Sequence, residues 1–158
     1  MTDIKMEEKY KLLVTQIEAL VEGESDVTAV LANVSAALHD TFPERFFWVG
    51  FYSIKGEELL LGPFQGPVAC FRIGYGKGVC GVAWQRGETV IVPDVEQFPG
   101  HIACSSLSRS EIVVPIIGRD GDVKGVIDID SRDLDAFNKI DQHYLEQIAA
   151  LLSHHLSW

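Results

Sequence analysis

Three cysteines, Cys70, Cys80 and Cys104, are the residues of this chain that most directly suggest chemistry. Cys104 lies in the polar stretch His-Ile-Ala-Cys-Ser-Ser, where backbone amides and the two serine hydroxyls that follow can stabilise a thiolate and lower its pKa. The thiolate is the nucleophilic form of cysteine. We therefore predict that Cys104 is reactive, against the alternative that the cysteines are passive small hydrophobic residues.

The other two cysteines are candidates to complete a redox cycle. A thiol that has been oxidised to a sulfenic acid needs a second thiol to form a disulfide before it can react again. Cys70 is predicted to end a strand, and Cys80 opens a predicted short helix whose N-terminal amides favour an anionic sulfur. Either could approach Cys104 by a loop movement, so these residues alone leave the partner of Cys104 open.

A metal site is the less favoured interpretation of the same residues. Zinc bound by three cysteines and His101 would require wide intervals, and the chain contains no Cys-x-x-Cys pair. No metal is therefore predicted. His101 is interpreted as a hydrogen-bonding loop residue, and its role stays open.

Three acidic residues form a second group with chemical potential. Glu111 opens a predicted strand, and Asp128 and Asp130 lie two residues apart on another, so their side chains point to the same side. Carboxylates grouped on one face require a cation, and an α-ammonium group is one candidate. A carboxyl kept protonated by its acidic neighbours could also donate a proton to a departing oxygen. The alternative is a solvated strand face, although Ile127 and Ile129 on the opposite side mean that this face need not be core.

Trp48 and Tyr52 are four residues apart and share one face of the first predicted strand. Two aromatic rings on one face can enclose a thioether methyl group. The alternative is ordinary core packing.

The elements that must position these residues follow from hydrophobic periodicity and turn signals. Two helices are predicted within residues 4–40, a sheet and its loops within 45–131, and a last helix at 138–157. The predicted strands are 45–54, 59–61, 67–73, 89–92, 111–117 and 123–130, with a short helix at 79–86 and a long irregular stretch, a candidate functional loop, at 93–110. An Asp-Gly turn joins the last two strands. We predict one α+β domain over 1–158, with a largely antiparallel sheet flanked by helices.

The composition of the chain disfavours two classes of binding partner. The 158-residue chain has 13 Lys and Arg against 23 Asp and Glu, and its net charge of −10 disfavours nucleic acid and anionic membranes. No apolar run approaches the roughly 20 residues that span a bilayer, and the start lacks the build of a signal peptide. We expect a cytoplasmic protein that binds neither nucleic acid nor membrane.

Five stretches carry a resemblance to a known family. They are Gly-Pro-Phe-Gln-Gly at 62–66, Gly-Lys-Gly-Val-Cys-Gly at 76–81, Gly-His-Ile-Ala-Cys-Ser-Ser at 100–106, Ser-Glu-Ile-Val-Val-Pro at 110–115 and Gly-Val-Ile-Asp-Ile-Asp-Ser at 125–131. The chain resembles the free methionine-(R)-sulfoxide reductases over nearly its whole length. The predicted order of elements is also that of GAF domains, the fold of this family.

The resemblance implies roles for the cysteines. Cys104 would attack the sulfur of free methionine sulfoxide, and Cys70 would form the disulfide that thioredoxin then reduces, with Cys80 auxiliary. No cofactor is implied. The preference for the R epimer and a homodimer rest on the resemblance alone.

The resemblance also implies which residues would line the substrate pocket. Trp48 and Tyr52 would line the methyl site, and Glu111, Asp128 and Asp130 would hold the ammonium group and assist proton delivery.

Two other functions fit the sequence. A GAF-type fold can bind a small ligand without chemistry, because fold alone does not decide function. Three thiols can also act as a redox sensor without a dedicated substrate.

Overall fold

The computed structural model describes residues 1–102 and 104–158. The helices are α1 (Asp3–Val21), α2 (Val27–Thr41), α3 (Gly78–Arg86) and α4 (Lys139–His155). The strands are β1 (Trp48–Lys55), β2 (Glu58–Gln65), β3 (Arg72–Gly74), β4 (Val90–Val92), β5 (Ser110–Ile117) and β6 (Val123–Ser131). The predicted α+β class is confirmed.

The helices begin and end at side chains that satisfy free backbone groups. The Asp26 carboxylate accepts a hydrogen bond from the Ala29 amide at 2.8 Å, and Asn138 and Asp141 form a reciprocal capping box at the start of α4. Gly87 ends α3 with a φ of 64°, a left-handed conformation that glycine adopts without strain. None of the described helices is both long enough and apolar enough to cross a membrane.

The six strands form one antiparallel sheet in the order β3-β2-β1-β6-β5-β4. The register of the strands places three predicted site residues next to one another. Asp130 pairs with Trp48 on one side and with Glu111 on the other. Directly paired residues of an antiparallel sheet point to the same face, so these three side chains share a row.

The two faces of the sheet have different partners. Ile127 and Ile129 point to the face covered by α1, α2 and α4, where the larger hydrophobic core lies. Val126 and Val113 point to the other face and pack with residues of α3. Because side chains alternate along a strand, Asp128 and Asp130 share one face, as their two-residue spacing predicts, and this is the face covered by α3.

The prediction of a strand at 67–73 is wrong over its first half, since β3 begins only at Arg72. Cys70 therefore precedes the strand instead of ending it. The physical reason is that Pro67 has no N–H group, and that its carbonyl accepts a hydrogen bond from the indole of Trp48 rather than from a neighbouring strand. Similarly, β1 begins at Trp48 and not at Arg45, which lies in a turn where its guanidinium contacts Asp141 of α4 at 2.9 Å.

Candidate functional site

A disulfide joins Cys70 to Cys104, with their Cα atoms 5.7 Å apart. Cys104 is exposed and Cys70 is half-buried, so the bond lies at the surface. The structure therefore contains the pairing that the family resemblance implied and that the residues alone left open. Cys80 is free and buried, with 3% of its surface exposed.

A small cavity of about 50 Å³ lies next to this disulfide. The Cys104 side of the bond contributes to its wall, and α3 contributes Cys80. The remaining predicted site residues also line it: Trp48 and Tyr52 from β1, Glu111 from β5, and Asp128 and Asp130 from β6. The tertiary structure thus collects at one place residues that are spread over more than eighty positions of the chain.

Two of the acidic residues are deeply buried in this cavity. Glu111 and Asp128 are each only 6% exposed, whereas Asp130 is half-buried. Burial raises the pKa of Glu111 and Asp130 well above the ordinary value, and the nearby charge of Asp128 raises both further. Burial also raises the pKa of Asp128, although Glu111 and Cys80 beside it favour its charged form. The cluster therefore keeps protons on part of its carboxyl groups.

The charge of Asp128 is incompletely satisfied. Among the described residues, its Oδ1 atom is buried and has no hydrogen-bond partner. None of the described cavity residues is a lysine or arginine. Partial burial lowers the pKa of the nearby His101, which favours a neutral ring. A buried carboxylate in this position requires a cation or a strong donor, because an unpaired buried charge is costly.

The expectation of an anionic sulfur at Cys80 is wrong. Burial raises the pKa of the Cys80 thiol, and the negative charges of Asp128 and Glu111 raise it further. The sequence places Cys80 near a helix N-terminus, but only the fold shows that its side chain faces carboxylates. The surroundings of Cys80 therefore favour the neutral thiol.

The aromatic pair forms a buried wall of the cavity. Trp48 and Tyr52 have ring centroids 6.1 Å apart, and Trp48 also stacks on Phe64 at 5.1 Å. Gly50 lies between them on the strand, and a Cβ atom there would come within 2.8 Å of the indole. Because glycine has no side chain, position 50 leaves room for the indole of Trp48.

Both aromatic residues also hold the segment that carries Cys70, a role that the sequence analysis missed. Trp48 donates from Nε1 to the carbonyl of Pro67 at 3.0 Å, and the Tyr52 hydroxyl donates to the carbonyl of Cys70 at 2.9 Å. The only signal in the sequence is Gly66-Pro67, which weakens a strand interpretation and leaves backbone carbonyls in need of donors.

Comparison with known proteins identifies the family. The family model described as "GAF domain" matches residues 24–157. The chain is 43% identical to the free methionine-R-sulfoxide reductase of Saccharomyces cerevisiae, over 96% of this chain and 88% of that protein. The chain belongs to the free methionine-R-sulfoxide reductase family of GAF domains.

Two further proteins, one named for its GAF domain and one for the reductase, are also similar to this chain. "GAF domain-containing protein A" of Dictyostelium discoideum is 58% identical over 92% of this chain and 91% of that protein. The X-ray structure of free methionine-R-sulfoxide reductase from Neisseria meningitidis in complex with its substrate is 51% identical, with a TM-score of 0.89 over 92% of this chain and 87% of that one. The predicted family is confirmed.

The hydrogen bond from Tyr52 to Cys70 leads to a first prediction for this family member. The substitution Tyr52→Phe keeps the aromatic wall but removes the donor, so the Cys70 segment loses one fixed point. We expect disulfide formation between Cys70 and Cys104 after peroxide treatment of the reduced protein to slow by roughly 10-fold, corresponding to about 1.4 kcal/mol.

Quenched-flow mass spectrometry of the alkylated protein measures that rate. Tyr75→Phe is the matched control, because Tyr75 is half exposed and packs edge-on against Trp84. Equal rates for wild type and Tyr52→Phe would contradict the positioning role.

The buried Glu111 leads to a prediction about pH. Its folded pKa is raised, so the unfolded chain releases the proton first as the pH rises above the ordinary value of 4.5. The free energy of unfolding of the wild type therefore falls through this window, by up to about 1.4 kcal/mol per pH unit for one proton. Glu111→Gln cannot ionise, and we expect its stability relative to wild type to increase with pH above the ordinary value and to be constant below it.

Urea denaturation of the disulfide form at a series of pH values tests this, with the exposed turn substitution Glu57→Gln as the control for loss of one carboxyl group. A stability difference between Glu111→Gln and wild type that does not vary with pH would exclude the raised pKa.

Proposed function

We propose that this protein reduces free methionine (R)-sulfoxide to methionine, with Cys104 as the nucleophile and Cys70 as the resolving thiol. The observation that carries the proposal is the Cys70–Cys104 disulfide beside an acidic cavity that has no lysine or arginine among its described lining residues. Relatives named free methionine-R-sulfoxide reductase support the enzyme class and the substrate.

Substrate binding uses the polar and apolar walls of the cavity. The α-ammonium group of the amino acid is held by Asp128, whose unpartnered Oδ1 accepts a hydrogen bond from it, with Glu111 and Asp130 beside it. The methyl group on sulfur packs against Trp48 and Tyr52. A peptide-linked residue lacks the ammonium charge and extends the chain into the wall, so the pocket selects the free amino acid.

The first chemical step transfers oxygen from the substrate to the enzyme. The Cys104 thiolate attacks the sulfoxide sulfur, and a protonated carboxyl, Glu111 or Asp130, donates a proton to the oxygen. The sulfur–oxygen bond breaks, methionine leaves, and Cys104 becomes a sulfenic acid. The substrate sulfur gains the two electrons that the cysteine sulfur loses.

The second step restores the enzyme. The Cys70 thiol attacks the sulfur of the sulfenic acid, which forms the disulfide and releases water. An external dithiol, for which we propose thioredoxin, then reduces the disulfide with two electrons and two protons. The exposure of Cys104 leaves the bond open to a protein thiol. No organic cofactor or metal takes part in these steps. The homodimer expected from the resemblance stays a prediction.

The disulfide adds a condition. While Cys104 is bonded to Cys70 it offers no thiolate at the cavity, so the substrate reacts only after the disulfide has been reduced.

Turnover with separate R and S epimers of free methionine sulfoxide tests the reaction. With thioredoxin, its reductase and NADPH, we expect NADPH oxidation with the R epimer and little with the S epimer. Cys104→Ser removes the nucleophile and is expected to abolish turnover. Cys70→Ser is expected to release about one methionine per chain and then stop as a sulfenic acid that dimedone traps.

The outcomes separate the candidate functions. Undiminished turnover in Cys104→Ser would refute the mechanism. Binding of the amino acid without turnover in the wild type indicates a binding module, and peroxide-driven disulfide formation without amino-acid binding indicates a redox sensor.

Calorimetry tests the ammonium site separately. In the Cys104→Ser protein, which cannot turn over, we expect Asp128→Asn to weaken the binding of free methionine sulfoxide by roughly 10- to 100-fold, since it removes one charge-assisted hydrogen bond. Asp122→Asn, in the exposed turn before β6, is the matched control. Equal affinity of Asp128→Asn and its parent would contradict the assignment of the ammonium site.

A further inference from the structure

Cys80 is a buried thiol that the proposed redox cycle does not use. In the disulfide form it is the one remaining thiol, because the chain has three cysteines and the other two are bonded. Its Sγ atom, a carboxylate oxygen of Glu111 and a carboxylate oxygen of Asp128 all lie within 4.8 Å of one another. Three potential donor atoms therefore surround one point at the cavity wall.

An independent feature shows that this point is suited to a positive charge. The Oδ1 atom of Asp128 is buried without a partner among the described residues, and Asp128 lines the cavity. Asp130 adds a further carboxyl to the same wall. The cavity volume of about 50 Å³ accommodates a metal ion with a water ligand.

The donor set indicates which cation binds. One thiolate and two carboxylates suit a borderline or soft divalent ion such as Zn²⁺ or Cd²⁺, whereas Mg²⁺ and Ca²⁺ prefer oxygen ligands alone. We propose that the disulfide form of this protein binds one Zn²⁺ or Cd²⁺ ion through Cys80, Glu111 and Asp128, with water completing the tetrahedral set.

Binding is an exchange of protons for metal and involves no oxidation. The Cys80 sulfur loses its proton to solvent as the sulfur–metal bond forms, and a carboxyl that holds a proton releases it in the same way. The ion then neutralises the acids that the proposed function assigns to the ammonium group. Metal binding and amino-acid binding at this cavity are therefore mutually exclusive.

Cadmium titration of the disulfide form provides the test, because a thiolate bound to Cd²⁺ has an ultraviolet charge-transfer band and Cys80 is the only source of that thiolate. We expect the band to saturate at one Cd²⁺ per chain and to be absent in Cys80→Ser. Asp128→Asn and Glu111→Gln keep the thiol, and we expect each to weaken Cd²⁺ binding by 10-fold or more, since each removes one ligand. Glu57→Gln, at an exposed turn, is the matched control.

Each result decides the proposal. Absence of the band in the wild type, or its persistence in Cys80→Ser, would overturn it. A band whose affinity is the same in wild type, Asp128→Asn and Glu111→Gln would show a lone thiol and would overturn the three-ligand site. If Cys80→Ser does not fold, as judged by circular dichroism, the two carboxyl variants carry the test. Turnover of methionine sulfoxide is measured on separate samples, so a failure of the reductase proposal leaves the cadmium result interpretable.

Discussion

The constraint on which the site depends is the burial or partial burial of three carboxyl groups on one face of the sheet, with no lysine or arginine among the described residues of the cavity. Asp130 of β6 pairs with Glu111 of β5, and Asp128 lies two residues before Asp130 on the same face of β6. Removing such groups from water is unfavourable, and the fold limits the cost by keeping protons on part of the cluster. The larger core on the opposite face supplies the stability that allows this arrangement.

This cluster underlies both proposed uses of the cavity. The α-ammonium group of the proposed substrate or the proposed divalent ion would each supply the charge that Asp128 lacks. They differ in size and in their use of Cys80, since a neutral thiol offers little to an ammonium group but is a strong ligand once deprotonated by a metal.

The aromatic residues link the cavity to the redox centre. Trp48 and Tyr52 form a wall with their rings and hold the segment before β3 with their polar atoms. One pair of side chains on a strand therefore contributes both to the cavity wall and to the position of Cys70. Such support on strands and not on loops keeps reacting groups in place.

The sequence by itself determined the helices, most of the strands and the sidedness of β6, because these depend on local periodicity, caps and turns. In β6 the acidic residues Asp128 and Asp130 alternate with isoleucines, and the two-residue period of a strand places them on opposite faces. Only the tertiary structure decided that Cys70 pairs with Cys104, that the thiol of Cys80 stays neutral, and that the segment at 67–70 is held by aromatic side chains instead of a strand. These features depend on burial and on contacts between distant segments, and neither is encoded in the local pattern of residues.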